Sequence, residues 1–148
     1  MICLLDPHDL SSNLARHLAK TDANERTIVR THGLLSASLP DAFRELRLFG
    51  MGARTSKPGA HAILSPSIAY DQAMWEVAWE GFEETMGLTG QPYVEVRHLK
   101  LGRGGRTAEH CHRVYSRIDE SGRSFGFRTS RQSASWFRVW PSTLTGSA

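Results

Sequence analysis

Three histidines within fifteen residues are the part of this sequence best suited to chemistry. His110 and His112 flank Cys111, and His98 lies twelve residues upstream. Side chains of a strand alternate between its two faces, so an extended segment here puts His110 and His112 on one face, about 7 Å apart along the strand. Two imidazoles hold a divalent ion well only when a third ligand joins them. The spacing therefore predicts a metal site formed by His98, His110 and His112.

The length of the loop between the two histidine segments decides whether His98 can join the site. A two-residue Gly104-Gly105 turn would pair His98 with Cys111 and turn it away from the other two histidines. A three-residue loop over 103–105 puts His98 opposite His110, and glycine suits the left-handed position that such loops need. A metal site therefore predicts an odd loop length, or a bulge that restores the register.

The histidine segment is also the most basic part of the chain. Residues 97–117 hold six Lys or Arg residues and one acid, Glu109, whereas the whole chain has a net charge of +3. Clustered basic side chains can neutralise phosphates, so this segment permits a polyanionic partner. Its basic residues are Arg97, Lys100, Arg103, Arg106, Arg113 and Arg117.

The elements that must position these residues alternate between helices and strands. A 3.6-residue apolar period predicts helices over 10–19, from the N-cap Ser38 to Gly50, and over 70–86. Alternation predicts strands over 26–31, 60–64, 93–99 and 109–118. Because a hairpin closes the series, we expect an α+β fold. Its largely antiparallel sheet is flanked by helices, with the metal-site hairpin near the C-terminal end.

The apolar stripes of two helices predict which residues they bury. In the second helix the stripe is Ala42, Leu46 and Phe49. In the third helix the stripe has six members: Met74, Val77, Ala78, Gly81, Phe82 and Met86. Trp75 and Trp79 fall outside that stripe, so we expect them to pack on a second face.

The chain divides by composition into a domain over 1–119 and a Ser/Arg-rich tail over 120–148. From Ser121 onward there are seven serines, four arginines and no acid, without the period of a helix or a strand. We expect a poorly ordered or non-native tail. The alternative is a nucleic-acid-binding tail in which Trp136, Phe137 and Trp140 stack on single-stranded bases.

Composition also predicts the compartment. Apolar runs are far shorter than the roughly 20 residues of a membrane span, and the first residues lack the basic region of a signal peptide. Two cysteines, Cys3 and Cys111, suit a reducing environment. A cytoplasmic location without a membrane partner is therefore predicted.

Other chemistries that use two histidines at this spacing fit less well. A cupin needs a glutamate where Ser116 and Arg117 stand, and the residues after His112 do not match the metallo-β-lactamase pattern. The sequence contains no HExxH, Walker or GxSxG motif.

Three segments together resemble a known family. The first is 13–18 (Asn-Leu-Ala-Arg-His-Leu) with 24–26 (Asn-Glu-Arg), and the second is 61–66 (His-Ala-Ile-Leu-Ser-Pro). The third, and most specific, is His98 with 110–119 (His-Cys-His-Arg-Val-Tyr-Ser-Arg-Ile-Asp). From about residue 13 to 119 the chain resembles the relaxase/mobilisation nucleases, the three-histidine HUH-type endonucleases of plasmid conjugative transfer.

This resemblance implies a fold, a cofactor and an activity. It implies an antiparallel sheet that presents three histidines to Mg²⁺ or Mn²⁺, although imidazole ligands also suit Zn²⁺. It implies nicking of single-stranded DNA at a plasmid transfer origin, with accessory mobilisation proteins as further partners. On this DNA the six basic residues of 97–117 would contact backbone phosphates. An N-terminal nucleophile would capture the cut 5′-phosphate covalently.

The sequence departs from the family pattern at two places. Lys100 stands where members typically carry an acid, two residues after the first histidine. Most members use an N-terminal tyrosine as nucleophile, but the first tyrosine here is Tyr70. Some relaxases use histidine instead, which makes His17 the candidate nucleophile, ahead of His32 and His8.

Several alternatives stay open. Family nucleases usually continue well beyond the histidine hairpin, so a truncated member that binds DNA without cutting it is one alternative. An unrelated metal-dependent hydrolase is another. His61 is either a residue of the site or a core histidine, and Ser65 is interpreted as the end of a strand.

Overall fold

The computed structural model describes residues 1–21, 25–101 and 107–126. Within these ranges the chain forms five strands and three helices. The strands are β1 (Ile2–His8), β2 (Glu25–His32), β3 (Gly59–Ser65), β4 (Tyr93–Leu101) and β5 (Thr107–Ser116). The helices are α1 (Ser12–Ala19), α2 (Leu39–Phe49) and α3 (Gln72–Met86).

The five strands form one antiparallel sheet in the order β1-β3-β5-β4-β2. The expected α+β fold, with its antiparallel sheet flanked by helices, is confirmed. The β4–β5 hairpin lies at the centre of the sheet and pairs His98 with His110 and Leu101 with Thr107. This is the odd register that a three-histidine site requires. The intervening residues 102–106 lie outside the described ranges.

Strand β1 has no counterpart among the predicted elements. Its sequence joins an apolar run to Pro7 and therefore lacks the alternation of a half-buried strand. It forms because β3 offers a partner along its whole length, from Ile2 opposite Ser65 to His8 opposite Gly59. Proline is tolerated there because β1 is an edge strand.

The helices cover the two faces of the sheet unequally. Helix α3 packs on the face that carries Cys111 and Tyr115, which we call the α3 face. Helices α1 and α2 pack over Val94, Val96 and Val114 on the other face. In the strand register His98, His110 and His112 share this second face, which we call the histidine face.

Local signals mark the helix ends, and the predicted N-cap Ser38 is confirmed. Ser38 Oγ accepts a hydrogen bond from the backbone N–H of Asp41 at the start of α2. Asp71 does the same for Met74 at the start of α3. Gly87 ends α3 with φ +72°, a left-handed conformation that glycine adopts without strain.

The stripe predicted for α3 is wrong in part. Trp75 and Trp79 are each 1% exposed and form the core beneath the helix, whereas Val77 is 44% exposed. Phe49 of α2 is 38% exposed and also lies outside the core. The reason is tertiary, because the sheet supplies guanidinium groups over the indole rings, so the two tryptophans gain both apolar burial and cation–π contact.

A buried ion-pair network joins α3 to the α3 face. Arg113 Nε donates to Glu95 Oε2 at 2.8 Å, and Arg113 Nη1 donates to Glu83 Oε1 at 2.8 Å. The same guanidinium lies over the rings of Trp79 and Tyr93, at 4.4 and 4.1 Å from their centroids. Arg113 is therefore a structural residue of the helix–sheet interface.

We expect Arg113→Met to lower the free energy of unfolding by about 3 kcal/mol, because it leaves Glu83 without its cation and buried Glu95 with Arg97 alone. Urea denaturation measures this. The matched control is Arg44→Met, which removes an exposed ion pair with Asp41 and should change stability by less than about 0.5 kcal/mol. A loss at Arg113 as small as that at Arg44 would contradict the network's structural role.

The chain beyond residue 119 continues the fold for a further turn. Phe125 donates its backbone N–H to Arg117 O at 3.0 Å and packs against the α3-side core. Asp119 donates its N–H to Arg123 O at 2.8 Å. Phe125, in the segment assigned to the tail by composition, therefore packs against the domain, whereas residues 120–124 and 126 are exposed. The rest of the predicted tail, including Trp136, Phe137 and Trp140, lies outside the described residues.

Candidate metal centre

The β4–β5 hairpin brings three imidazoles together on the histidine face. The ring centroids of His98 and His110 are 5.1 Å apart, and His112 lies 5.4 and 5.1 Å from them. One ligand atom from each residue lies within 4.8 Å of the other two. A first-row ion bonds each nitrogen at about 2.0–2.1 Å, so the three ligand atoms would move closer together when they bind it.

Two of the three rings are held from behind by neighbouring strands. His112 Nδ1 lies 2.9 Å from His61 Nε2 on β3. His98 Nδ1 lies 3.2 Å from Thr27 Oγ1 on β2, and Thr27 Oγ1 lies 3.0 Å from Thr21 Oγ1. In both rings the Nδ1 atom is engaged, so Nε2 is the nitrogen left for a ligand bond.

Burial keeps these imidazoles neutral. Burial, and then the neighbouring imidazoles beginning with His61, lowers the pKa of His112 to about 3. Burial and the nearby His8 lower the pKa of His61 to about 4. The pKa values of His98 and His110 are also lowered, mainly by burial. A neutral imidazole has the lone pair that a metal needs, so protons compete weakly for this site.

These shifts predict acid sensitivity of the metal-free fold. Unfolded histidine titrates near 6.5, so below that pH the unfolded chain binds protons that buried His61 and His112 do not. We expect the free energy of unfolding to fall by about 2–4 kcal/mol from pH 7 to pH 5 in EDTA. Urea denaturation across that range measures it. His61→Phe should remove about half of the slope, and a wild-type stability that is flat over the range would contradict the burial of neutral imidazoles.

Helix α1 brings a fourth histidine to the same place. Ala15 and Leu18 are buried against the histidine-face core. His17, which lies between them in the sequence, is exposed near the end of the helix. A cavity of about 230 Å³ opens between α1 and the hairpin. Its lining residues are His17, Lys20, Glu25, His98, Lys100, His110 and His112.

A carboxylate that the sequence analysis did not assign to the site lines this cavity. Glu25 lies opposite Lys100 in the β2–β4 register, and its Oε1 is 2.9 Å from Lys100 Nζ. The Glu25 side chain is 8% exposed and that of Lys100 is 50% exposed. The neighbouring strand thus supplies an acid beside position 100, where the family pattern has one. Only the pairing of β2 with β4 shows this, because the two positions are far apart in sequence.

Two of the predicted phosphate contacts lie on the wrong face. Arg97 and Arg113 extend from the α3 face and are 8% and 9% exposed. Arg97 pairs with Glu95 and Glu109 at 3.2 and 3.3 Å. Strand alternation turns both arginines away from the histidines, and carboxylates occupy their guanidinium groups. The expectation that they bind DNA beside the site is therefore corrected.

The other predicted phosphate contacts separate into two groups. Arg117 lies past the far end of β5, where it donates to the backbone carbonyls of Lys57 and Phe125 and so holds the C-terminal turn. Lys100 lines the cavity. Arg103 and Arg106 lie outside the described residues.

Among the candidate nucleophiles, the position of His17 differs from that of the others. His32 stacks on Tyr93 on the α3 face, with ring centroids 5.1 Å apart. His8 accepts a hydrogen bond from Leu10 N at 2.9 Å and lies edge-on to His61, behind the triad. Of these three histidines, His17 is the one that lines the cavity.

The tyrosines of the chain do not line this cavity. Tyr93 and Tyr115 contact each other on the α3 face, and Tyr115 donates to Glu83 Oε1. Tyr70 packs edge-on against Trp75 on the same side. A tyrosine nucleophile from the described residues would therefore have to cross the sheet.

The described helices include none that is both long enough and apolar enough to span a membrane.

Comparison with known proteins identifies the family. Neither the curated proteins nor the solved structures contain a significant match to the chain. The family model described as "Relaxase: MobA/VirD2-like, nuclease domain" matches residues 14–137, which is most of the chain and includes all seven residues that line the cavity. Relaxases of this kind are metal-dependent nucleases that act on single-stranded DNA. The chain belongs to the relaxase family, as a MobA/VirD2-like nuclease domain.

Proposed function

We propose that this domain nicks single-stranded DNA at a plasmid transfer origin and transfers the cut strand, in the cytoplasm and together with accessory mobilisation proteins. The observation that carries the proposal is the shared cavity, which His17 lines together with His98, His110 and His112. A nucleophile and a triad of neutral ligands around one space are the parts that covalent phosphoryl transfer needs.

The donor set fits a divalent ion. His98, His110 and His112 would hold it, and as neutral ligands they leave the ion its full positive charge. Bound there, the ion supplies charge that polarises a non-bridging phosphate oxygen and stabilises the transition state. We propose Mg²⁺ or Mn²⁺ as the working ion. Because three imidazoles also suit Zn²⁺, activity should be compared with all three ions.

His17 is proposed to carry the covalent step. A ring nitrogen of His17 attacks phosphorus, and the bond from phosphorus to the 3′-oxygen breaks. The 3′-oxygen leaves as a hydroxyl with the proton that the other ring nitrogen releases, and the 5′-phosphate stays on His17 as a phosphoramidate. Attack by a 3′-hydroxyl on that phosphorus reverses the step and joins the strands.

Lys100 is proposed to contact the DNA backbone at the rim of the cavity, together with Arg103 and Arg106, which follow it in the sequence. We expect Lys100→Gln to reduce the slope of log affinity against log salt by about 1, because one phosphate contact is lost. Fluorescence anisotropy with a single-stranded oligonucleotide measures this. Arg44→Gln, on the exposed face of α2, is the control and should leave the slope unchanged. Equal slopes for the two variants would remove Lys100 from the interface.

The direct test uses supercoiled plasmid that carries the cognate transfer origin, with Mn²⁺. We expect nicked circles with the protein attached to the 5′ end. A phosphoramidate on histidine is labile to acid, whereas a phosphodiester to tyrosine is stable, so acid treatment should release the protein. Absence of both nicks and adducts on cognate DNA would contradict the proposal.

A catalytically inactive DNA-binding protein is the second candidate, favoured by Lys100 in place of the family acid. It predicts salt-sensitive binding of single strands without any covalent adduct. An unrelated metal-dependent hydrolase would instead cleave small phosphodiesters but not origin DNA.

A further inference from the structure

We propose that His61 and Thr27 are positioning residues that set the tautomers of two triad histidines, so that both present Nε2 to the ion. This inference rests on the proposed metal site but concerns residues that do not touch the ion. A neutral imidazole carries one proton on one of its two nitrogens, and only the other nitrogen can bind a metal. The hydrogen-bond partner of one nitrogen therefore decides whether the other nitrogen is free to bind the metal.

His61 is suited to this role for His112. The two ring planes are nearly parallel, at an angle of 17°, and the ring centroids are 5.2 Å apart. His61 Nε2 and His112 Nδ1 are 2.9 Å apart, a hydrogen-bond distance. When His112 Nδ1–H donates to His61 Nε2, the lone pair of His112 Nε2 faces the triad. If His61 donated instead, the proton of His112 would lie on Nε2. That nitrogen would then have no lone pair with which to bind the ion.

Thr27 is suited to the same role for His98. Its hydroxyl lies directly across the β2–β4 pair, 3.2 Å from His98 Nδ1. Thr21 Oγ1 lies 3.0 Å from the same hydroxyl, so Thr27 can accept from His98 while donating to Thr21. The strands on both sides of the hairpin thus each contribute one acceptor to one ligand.

The chemistry of these acceptors matters for the ion. A ligating histidine commonly donates its second N–H to a carboxylate, which adds negative charge behind the ligand. Here an imidazole and a hydroxyl accept instead, and neither adds charge. The arrangement fixes the ring orientations and leaves the ion more electropositive than carboxylate partners would.

The tautomer is measured in the metal-free protein by long-range proton–nitrogen NMR of the histidine rings. We expect His112 and His98 as Nδ1–H tautomers in the wild type. In His61→Phe the ring of His112 should shift towards the Nε2–H tautomer, while that of His98 stays unchanged. In Thr27→Val the ring of His98 should shift towards the Nε2–H tautomer, while that of His112 stays unchanged. An Nε2–H tautomer for His112 in the wild type would overturn the proposal, because His61 would then be the donor.

Metal affinity gives the second readout, with Mn²⁺ alone as the probe and isothermal titration as the method. We expect His61→Phe to weaken Mn²⁺ binding by about 10- to 100-fold, as losses of such outer partners commonly do. His61→Gln replaces the acceptor nitrogen with an acceptor oxygen and Thr27→Ser keeps the hydroxyl, so both should bind Mn²⁺ within about threefold of wild type. His32→Phe removes a histidine from the α3 face and is the matched control.

The outcomes separate this proposal from the proposed function. Wild-type protein that binds no Mn²⁺ refutes the metal site, whereas the NMR tautomers still decide the roles of His61 and Thr27. Mn²⁺ binding by His61→Phe that equals wild type, with an unchanged His112 tautomer, overturns the positioning role alone. If His61→Phe does not fold, the wild-type tautomer of His112 and the Mn²⁺ affinity of His61→Gln test the proposal instead. Because glutamine still offers an acceptor, loss of Mn²⁺ binding in His61→Gln would contradict the role of His61 as an acceptor.

Discussion

Replacing both His110 and His112 with alanine should reduce origin nicking by at least about a thousandfold, because removal of the charge that stabilises the transition state costs several kcal/mol. The two residues lie on the same strand and face, and the remaining His98 cannot hold the ion alone. The rate at which supercoiled plasmid becomes nicked measures the effect. Mn²⁺ titration of the same variant should show no specific site.

The matched control for this variant is His32→Ala, which removes a histidine from the α3 face and should nick at the wild-type rate. Both variants should bind single-stranded DNA with nearly unchanged salt dependence, because the proposed phosphate contacts remain. Substantial nicking by His110→Ala/His112→Ala would show that the triad is not the catalytic metal site.

His17→Gln should abolish the covalent adduct while leaving the metal site intact. The glutamine removes the nucleophilic nitrogen, and we expect adduct formation to fall by at least about a thousandfold. Because His17 lies on α1 and the triad on the hairpin, the Mn²⁺ affinity should stay within about threefold of wild type. Denaturing gels of labelled oligonucleotide measure the adduct, and titration measures the ion.

A second variant makes the assignment of the nucleophile specific. His8→Asn changes a histidine that lies behind the triad, and it should retain the adduct. Peptide mapping of the wild-type adduct should place it on the α1 segment, with the acid lability of a phosphoramidate. An adduct that maps to Tyr70, or that survives in His17→Gln, would refute the role of His17.

Much of the fold was predictable because its local signals are strong. The N-cap at Ser38, the C-terminal glycine at Gly87 and the alternation of β4 and β5 each act within a few residues. Strand β1 was missed because its own sequence has no alternation, and it is a strand only through its pairing with β3. The packing of Trp75 and Trp79 was predicted on a second face, whereas they lie in the main core, where the sheet places arginines over their rings.

The candidate site was predictable only as far as the hairpin extends. The short chain between His98 and His110 limits the pairing of their strands to a few registers. A metal site allows only those registers in which the loop has an odd number of residues. The faces of Arg97 and Arg113 follow from the same alternation. Each is a direct neighbour of a triad histidine in its strand, so its side chain points to the opposite face of the sheet. They were assigned as phosphate contacts from their charge alone, without asking which face of the sheet their side chains occupy.

What the sequence alone determined is that His110 and His112 share a face and that His98 lies on the preceding strand, since alternation along a strand is a local property. The pairing of β4 with β5 then brings His98 to the same face. What only the tertiary structure decided is everything that surrounds the triad. His17 arrives on a helix, His61 and Thr27 arrive on the two flanking strands, and Glu25 arrives opposite Lys100. The physical reason is that contacts between distant segments are decided by the packing of whole elements, for which residue spacing along the chain carries no signal.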